Sequence, residues 1–272
     1  MQLGICAIVK HERPHLLEWL AFHKLMGVER VWLAINEDDP TDTLELIAPL
    51  IRSGFVVWAY MPGPAKQLAA YYWGRYEAEQ LKCRWVAFID ADEFLMPRGE
   101  VTVCQALANC PDCAALAINW TMFGASGVVQ RPEYVIEANV MRLPHNNGVN
   151  KHVKLVAKPE RVIEFYDPHA AGFTNEGFAA SPAGVKLEGQ FQPFTEGPLL
   201  LHHYFLRSRE DYYDKIERGR ADIVIDKDHD HGRNWKYWEM IERDATVRDE
   251  TALRFLPALK EELAQWQTQY HR

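Results

Sequence analysis

Four short apolar runs alternate with three helical stretches over the first ninety residues, and this alternation restricts the fold more than any other feature of the chain. Residues 3–9, 31–35, 55–60 and 85–89 read as strands. Pro14 suits a first helical turn; Leu16, Leu17, Leu20, Ala21 and Leu25 then share one face, and Gly27 closes the helix. Asp39-Pro40-Thr41-Asp42 carries N-cap chemistry for a helix ending near Gly54. Pro62-Gly63-Pro64 punctuates before a helix across 65–82. Short apolar strands alternating with helices predict an α/β fold with a mostly parallel, helix-covered central sheet. Ligands of such sheets sit at the carboxyl ends of the strands.

The fourth run leads straight into Asp90, Asp92 and Glu93. Three carboxylates at the end of a buried strand repel one another and resist desolvation, so a bound cation is the simplest means of holding them. Asp90 and Asp92 are two apart and point to the same side of an extended segment, about 7 Å apart at Cα. That suits a divalent ion with oxygen ligands, its remaining positions filled by water and the oxygens of a diphosphate. The residues therefore predict a metal–nucleotide site, with a solvated strand-end turn as the plainer alternative. Leu199-Leu200-Leu201-His202-His203-Tyr204 places two histidines at another strand end. Neighbours on a strand face opposite ways, so only one of them can join a given site. His152 and His169 are equally open between ligand and structural roles, and the Asp/His run at 226–232 reads as a solvated loop.

The net charge of −8, without a Lys/Arg stripe, argues against a nucleic-acid partner. No GxGxxG follows the first strand and no Walker lysine is present, which disfavours dinucleotide oxidoreductases and P-loop enzymes. A dehalogenase-type phosphatase carries its Asp-x-Asp on the first strand, followed by Thr or Val; here Glu93-Phe94 follows, on the fourth. Cys110-Pro-Asp-Cys113 lacks the second pair of a zinc site, so the five cysteines read as thiols of a reduced, cytoplasmic protein. No apolar run approaches the ~18 residues that span a bilayer, and no secretory signal follows Met1. Peripheral contact with the inner face of a membrane stays open.

The later half is richer in strands, at 114–120, 134–142, 152–158 and 199–206. Ser208 with Asp211 forms a capping box for a helix ending near Gly219, and helices at 235–243 and 248–269 close the chain. No linker forces a division. The expectation is one domain over 1–272: a nucleotide-binding half (1–100), an acceptor half (101–222), and a C-terminal loop and helices (223–272).

Several segments resemble family-2-like and family-92-like glycosyltransferases. They are Ala7-Ile8-Val9-Lys10-His11-Glu12, Leu16-Leu17-Glu18-Trp19-Leu20-Ala21-Phe22-His23, and Phe88-Ile89-Asp90-Ala91-Asp92-Glu93-Phe94. Asn119-Trp120 with Phe123-Gly124-Ala125-Ser126-Gly127, Lys151-His152-Val153-Lys154, and His203-Tyr204 with Ser208 and Lys215 continue the pattern in order. The resemblance implies a Rossmann-like GT-A fold that uses a nucleotide-diphosphate sugar, UDP favoured, with Mn²⁺ or Mg²⁺. Carried over by position, Asp90, Asp92 and His203 hold the metal, while Lys10, Glu12, Asn36, Asp38 and Asp90 border the nucleotide. His11 stands where the family usually has Asn.

Inverting transfer to a glycan or glycolipid acceptor, in surface polysaccharide or lipopolysaccharide biosynthesis, needs a carboxylate base. Glu137 and Glu93 are the candidates, with Asp167 and Glu176 behind them; Lys151 and Lys154 are candidate phosphate contacts. Loops 123–127, 145–150 and 167–198 are expected on the acceptor side, and 226–232 as a cover over bound nucleotide. Two rivals remain. A nucleotidyltransferase wants a glycine-rich basic loop after strand one, whereas 10–14 has no glycine. A non-catalytic carbohydrate-binding protein predicts sugar binding indifferent to chelators.

Overall fold

The computed structural model describes residues 1–108, 113–219 and 233–270. The expectations placed on Cys110 and on the 226–232 segment lie outside the described residues. The first half runs β1 (Leu3–Val9), α1 (Arg13–Leu25), β2 (Arg30–Ile35), α2 (Thr41–Arg52), β3 (Val56–Tyr60), α3 (Gln67–Gln80) and β4 (Trp85–Phe88). Next come β5 (Glu93–Pro97), α4 (Val103–Ala108), β6 (Ala115–Met122), α5 (Val135–Ala138), β7 (Met141–Arg142), β8 (Val153–Ala157), β9 (Val162–Asp167), β10 (Ala170–Phe173) and β11 (Ala179–Ala180). The chain finishes with β12 (Leu199–His203), α6 (Arg209–Arg218), α7 (Trp235–Asp244), β13 (Val247–Arg248) and α8 (Leu256–Tyr270). Among the described residues no helix is long and apolar enough to cross a membrane.

One mixed sheet carries both halves, in the order β3-β2-β1-β4-β8-β6-β12-β5, with β11 paired to β6. β3, β2, β1 and β4 are mutually parallel, as the alternation predicts. Beyond β4 the expectation of a mostly parallel sheet holds only in part: β12 and β11 run parallel to β6, and the other pairings do not. β8 is antiparallel to both β4 and β6, and β5 is antiparallel to β12. The reason lies in the connections: parallel neighbours need a long crossover, and antiparallel ones do not. Between β6 and β8 the chain makes the single turn of α5, the short β7 and a 3₁₀ turn at Gly148–Lys151, with no helix longer than α5 to serve as a crossover.

β1 is buried at every position because both faces of the sheet are covered. Leu3, Ile5, Ala7 and Val9 join the cluster that includes Leu16, Trp19 and Leu20 of α1 and Leu259 of α8. Cys6 faces the other way, into a cluster with Tyr71 and Ala78 of α3.

Residues 134–142, expected as one strand, form α5 and then β7. The cause is distant in sequence: the Glu18 carboxylate on α1 accepts the N–H groups of Val135 at 2.8 Å and Ile136 at 3.1 Å, which satisfies a helical turn. The expected helix at 248–269 is divided into β13, a 3₁₀ turn at Thr251–Phe255 and α8. Pro257, which has no N–H to give a helix interior, stands in the first turn of α8.

Candidate functional site

β4 and β5 are joined by the acidic turn, across which Glu93 N donates to Asp90 O at 3.0 Å. Antiparallel pairing sets Phe88 opposite Leu155 and brings β8 alongside the tip of β4. Lys154 Nζ then lies 3.0 Å from Asp90 Oδ2 and 3.9 Å from Glu93 Oε2. From α3, Gln67 donates its amide to Asp90 Oδ1 at 2.7 Å. β12 pairs with β5 so that His203 is opposite Glu93, and His203 Nε2 faces Asp92 Oδ1 at 3.3 Å. From α6, Lys215 donates to Asp92 Oδ2 at 2.5 Å and to Phe205 O at 2.7 Å. Trp120 of β6 donates its indole N–H to Glu93 Oε1 at 2.5 Å.

A cleft of about 290 Å³ opens over this turn. Of the expected residues, Lys10, Glu12, Asp90, Asp92 and His203 line it together, with His152 and His169. Asp90 is the accessible carboxylate of the turn at 32% exposure, against 9% for Asp92 and none for Glu93.

Buried charges here come in matched pairs. Glu12 is clamped between Arg207, at 2.5 Å, and Arg218. Burial raises the Glu12 pKa, but the two guanidiniums outweigh it and bring it down to about 2. Burial is likewise outweighed at Asp92, where Lys215, His203 and Arg207 hold the carboxyl well below its ordinary value. Glu93 goes the other way. Burial drives it well above the carboxylate range, and Lys154 offsets only part of that. Arg207 also donates to Ala91 O at 2.9 Å, tying the turn to the loop before α1.

Other expected residues lie elsewhere. The Asn36 amide donates to Met61 O at 2.6 Å and Gly63 O at 2.7 Å, fastening β2 to the loop after β3. Asp38 is exposed, its carbonyl accepting the Tyr60 hydroxyl at 2.9 Å. Glu93 is sealed beneath the turn and does not line the cleft. Glu137 is not on a strand; it stands on α5, half exposed, paired with Lys260 at 2.9 Å and away from the cleft. Neither Asp167 nor exposed Glu176 lines the cleft, and His202 is buried against Phe123 and Tyr204. Loop 123–127 packs under α7, where Glu242 accepts the Ala125 and Gly127 N–H groups. Pro168 and His169 represent the 167–198 segment in the cleft.

Sequence reading gave no role to Gln67, Trp120, Arg207, Lys215 or Arg218. A signal existed for α6. Asp211, Lys215 and Arg218 recur at helical spacing beside the buried Tyr212, so they lie on the inward face.

Fold and cleft together define an α/β protein with a polar ligand site at the carboxyl ends of its parallel strands. Residues 5–167 match the family model described as Glycosyltransferase family 92, and the chain belongs to that family. A glycosyltransferase family 92 protein of Ricinus communis is 26% identical over 235 residues, covering 83% of this chain and 39% of the relative. One of Oryza sativa subsp. japonica is 24% identical over 234 residues, covering 82% and 36%. The chain thus spans less than half the length of these relatives. Among solved structures, HddC from Yersinia pseudotuberculosis superposes with a TM-score of 0.40 at 12% identity, covering 80% of this chain and 99% of that one. S. aureus TarS gives 0.36 at 14% identity, covering 65% and 30%.

Proposed function

We propose that the cleft binds a nucleotide-diphosphate sugar, UDP-sugar favoured, and that the chain is a GT-A-type glycosyltransferase moving the sugar with inversion to a glycan or glycolipid acceptor. One observation carries this reading: in a chain of net charge −8, six cations stand in or just behind this cleft against four carboxylates. Lys154, Lys215, Arg207 and Arg218 meet the four carboxylates of the site, and Lys10 and Arg233 also line the opening. Such a lining suits a diphosphate. Family membership supports the same reaction class.

Mn²⁺ or Mg²⁺ belongs to the reading. Asp92 Oδ1 and His203 Nε2, 3.3 Å apart on the cleft wall, are the donor pair that fits such a cation. Among the described residues no three His, Cys, Asp or Glu groups converge on a metal position, so water and phosphate oxygens would complete the coordination. When bound, the cation would supply Lewis-acid stabilisation of the leaving diphosphate. Asp90, steadied by Gln67 and Lys154, is the carboxylate left to face the nucleotide. Lys10 and Arg218 sit where phosphate charge would need partners.

Thermal shift with a panel of UDP-, GDP- and CMP-sugars, with and without Mn²⁺, tests the proposal. Ligand at 100 times its Kd stabilises a fold by about 2.7 kcal/mol, enough to read as several degrees. UDP-sugars with Mn²⁺ are expected to give that shift, and Asp92→Asn to lose its metal-dependent part. No shift with any sugar nucleotide would overturn the reading. A shift from free sugar that ignores chelator would favour a carbohydrate-binding protein.

A further inference from the structure

Glycosyl transfer needs a group that takes the acceptor's hydroxyl proton, and each carboxylate lining the cleft is already engaged. Glu12 faces Arg207 and Arg218, Asp92 faces Lys215 and His203, and Asp90 faces Gln67 and Lys154. A carboxylate held by cations is a weak base. Besides His203, which faces Asp92, two imidazoles share the same wall, His152 and His169.

His152 stands just before β8, with Nδ1 2.9 Å from Val149 O. A carbonyl can only accept, so Nδ1 carries the proton and Nε2 the lone pair. Nε2 has no hydrogen-bond partner among the described residues, yet it is not sealed from solvent. The ring is held in place. It stacks on Trp120 with centroids 4.5 Å apart and planes 20° from parallel, and Phe191 meets it edge-on at 4.6 Å. Trp120 is fixed in turn by its bond to Glu93. Burial lowers the His152 pKa, which keeps the ring neutral and its lone pair open at neutral pH. His169 is anchored alike, with Nδ1 2.7 Å from Val153 O, but it meets Trp120 edge-on instead of stacking on it. Burial with the nearby Lys154 brings its pKa down to about 3, which makes it a poorer base.

We propose that His152, through Nε2, is the base that deprotonates the acceptor hydroxyl, an inference that rests on the glycosyltransfer reading above. The acceptor O–H proton passes to Nε2 as the oxygen's electron pair forms the new bond to the anomeric carbon. The bond from that carbon to the diphosphate oxygen breaks, and its electron pair leaves with the nucleoside diphosphate. Val149 O, already accepting Nδ1–H, steadies the imidazolium until its proton returns to water. Glu93 becomes a positioning residue, acting through Trp120 on His152.

The test compares the full chain with His152→Ala and His152→Gln. UDP affinity in the presence of Mn²⁺ is measured by calorimetry. UDP release is followed from UDP-glucose, UDP-galactose and UDP-N-acetylglucosamine, with water or methyl glycosides as acceptor. UDP affinity is expected to stay within about twofold while kcat falls about 100-fold or more, the usual contribution of a positioned base. Added imidazole should restore part of the turnover of the alanine variant, which leaves a space for it. Unchanged kcat, or a loss matched by an equal loss of UDP affinity without imidazole rescue, would overturn the assignment. So would a wild-type chain that binds UDP but releases none from any donor, because a poised base serves water as an acceptor. A wild-type chain that binds neither UDP nor any other sugar nucleotide of the panel would instead remove the glycosyltransfer reading, and this assignment with it.

Discussion

Asp92 is almost fully buried, and two partners from distant parts of the chain keep it ionised. Lys215 holds one oxygen and His203 faces the other. Removing one member of a buried pair strands the other's charge, at about 3–5 kcal/mol. Lys215→Met is therefore expected to lower the unfolding free energy by an amount of that order, read from urea curves followed by circular dichroism. Glu137 supplies the contrast, since its pair with Lys260 is exposed on both sides. Glu137→Gln should change stability by about 0.5 kcal/mol or less and leave UDP release within about twofold. The acidic turn was legible in sequence because charges that end an apolar strand break its pattern. Its partners were not: Lys215 lies 123 residues from Asp92, and Arg207 lies 116 from Ala91. Spacing along the chain carries no information about such pairs until the sheet brings their strands together. The strand expected around Glu137 was lost for the same reason, because the Glu18 contact that turns its segment into a helix spans 117 residues.

At the scale of elements, α3 approaches β1 more closely than a side chain permits. A Cβ on Gly74 would sit 2.3 Å from Cys6 Sγ and 2.9 Å from Cys6 Cβ. Gly74→Ala should cost about 1–3 kcal/mol through overpacking, and adding Cys6→Ala should recover part of it, the non-additivity that contact predicts. The junction of α1 with α5 gives a pH signature. Burial raises the Glu18 pKa from its ordinary value to about 7, although two backbone N–H groups favour its charged form. The folded chain thus holds a proton that the unfolded chain has released, between about pH 4.5 and 7. Stability from this group is full below that window and declines as pH rises through it. Urea midpoints followed across pH 4–8 should show the decline, and Glu18→Gln should flatten it. The first four strands and three helices could be read from sequence because each is long enough for its apolar period to show. β8 and β12 could be read as strands, but not in direction, because direction is set by the connections and not by the residues paired.

Over the whole molecule, charge is distributed against its own total. The chain carries −8, yet around the cleft Lys10, Arg218 and Arg233, with Lys154, Lys215 and Arg207 behind them, outnumber the carboxylates of Glu12, Asp90, Asp92 and Glu93. The total is legible in composition; the local arrangement appears only once β1, β4, β8, β12 and α6 meet at one edge. A polyanion such as UDP therefore meets two fields. Far from the surface it is repelled by the net charge, and within the cleft it is drawn by the cations. Salt separates the two, because the screening length is about 30 Å at 0.01 M and about 8 Å at 0.15 M. At low salt the whole molecule's repulsion reaches an approaching nucleotide, and at physiological salt only the cleft does. The association rate of UDP, measured by stopped-flow tryptophan fluorescence at saturating Mn²⁺, should therefore rise as ionic strength increases across that range. The dissociation rate should change little, since contacts made inside a partly enclosed cleft are poorly screened. An association rate that falls with salt would mean that the cleft cations dominate at distance as well, and that the net charge of the chain plays no part in nucleotide capture.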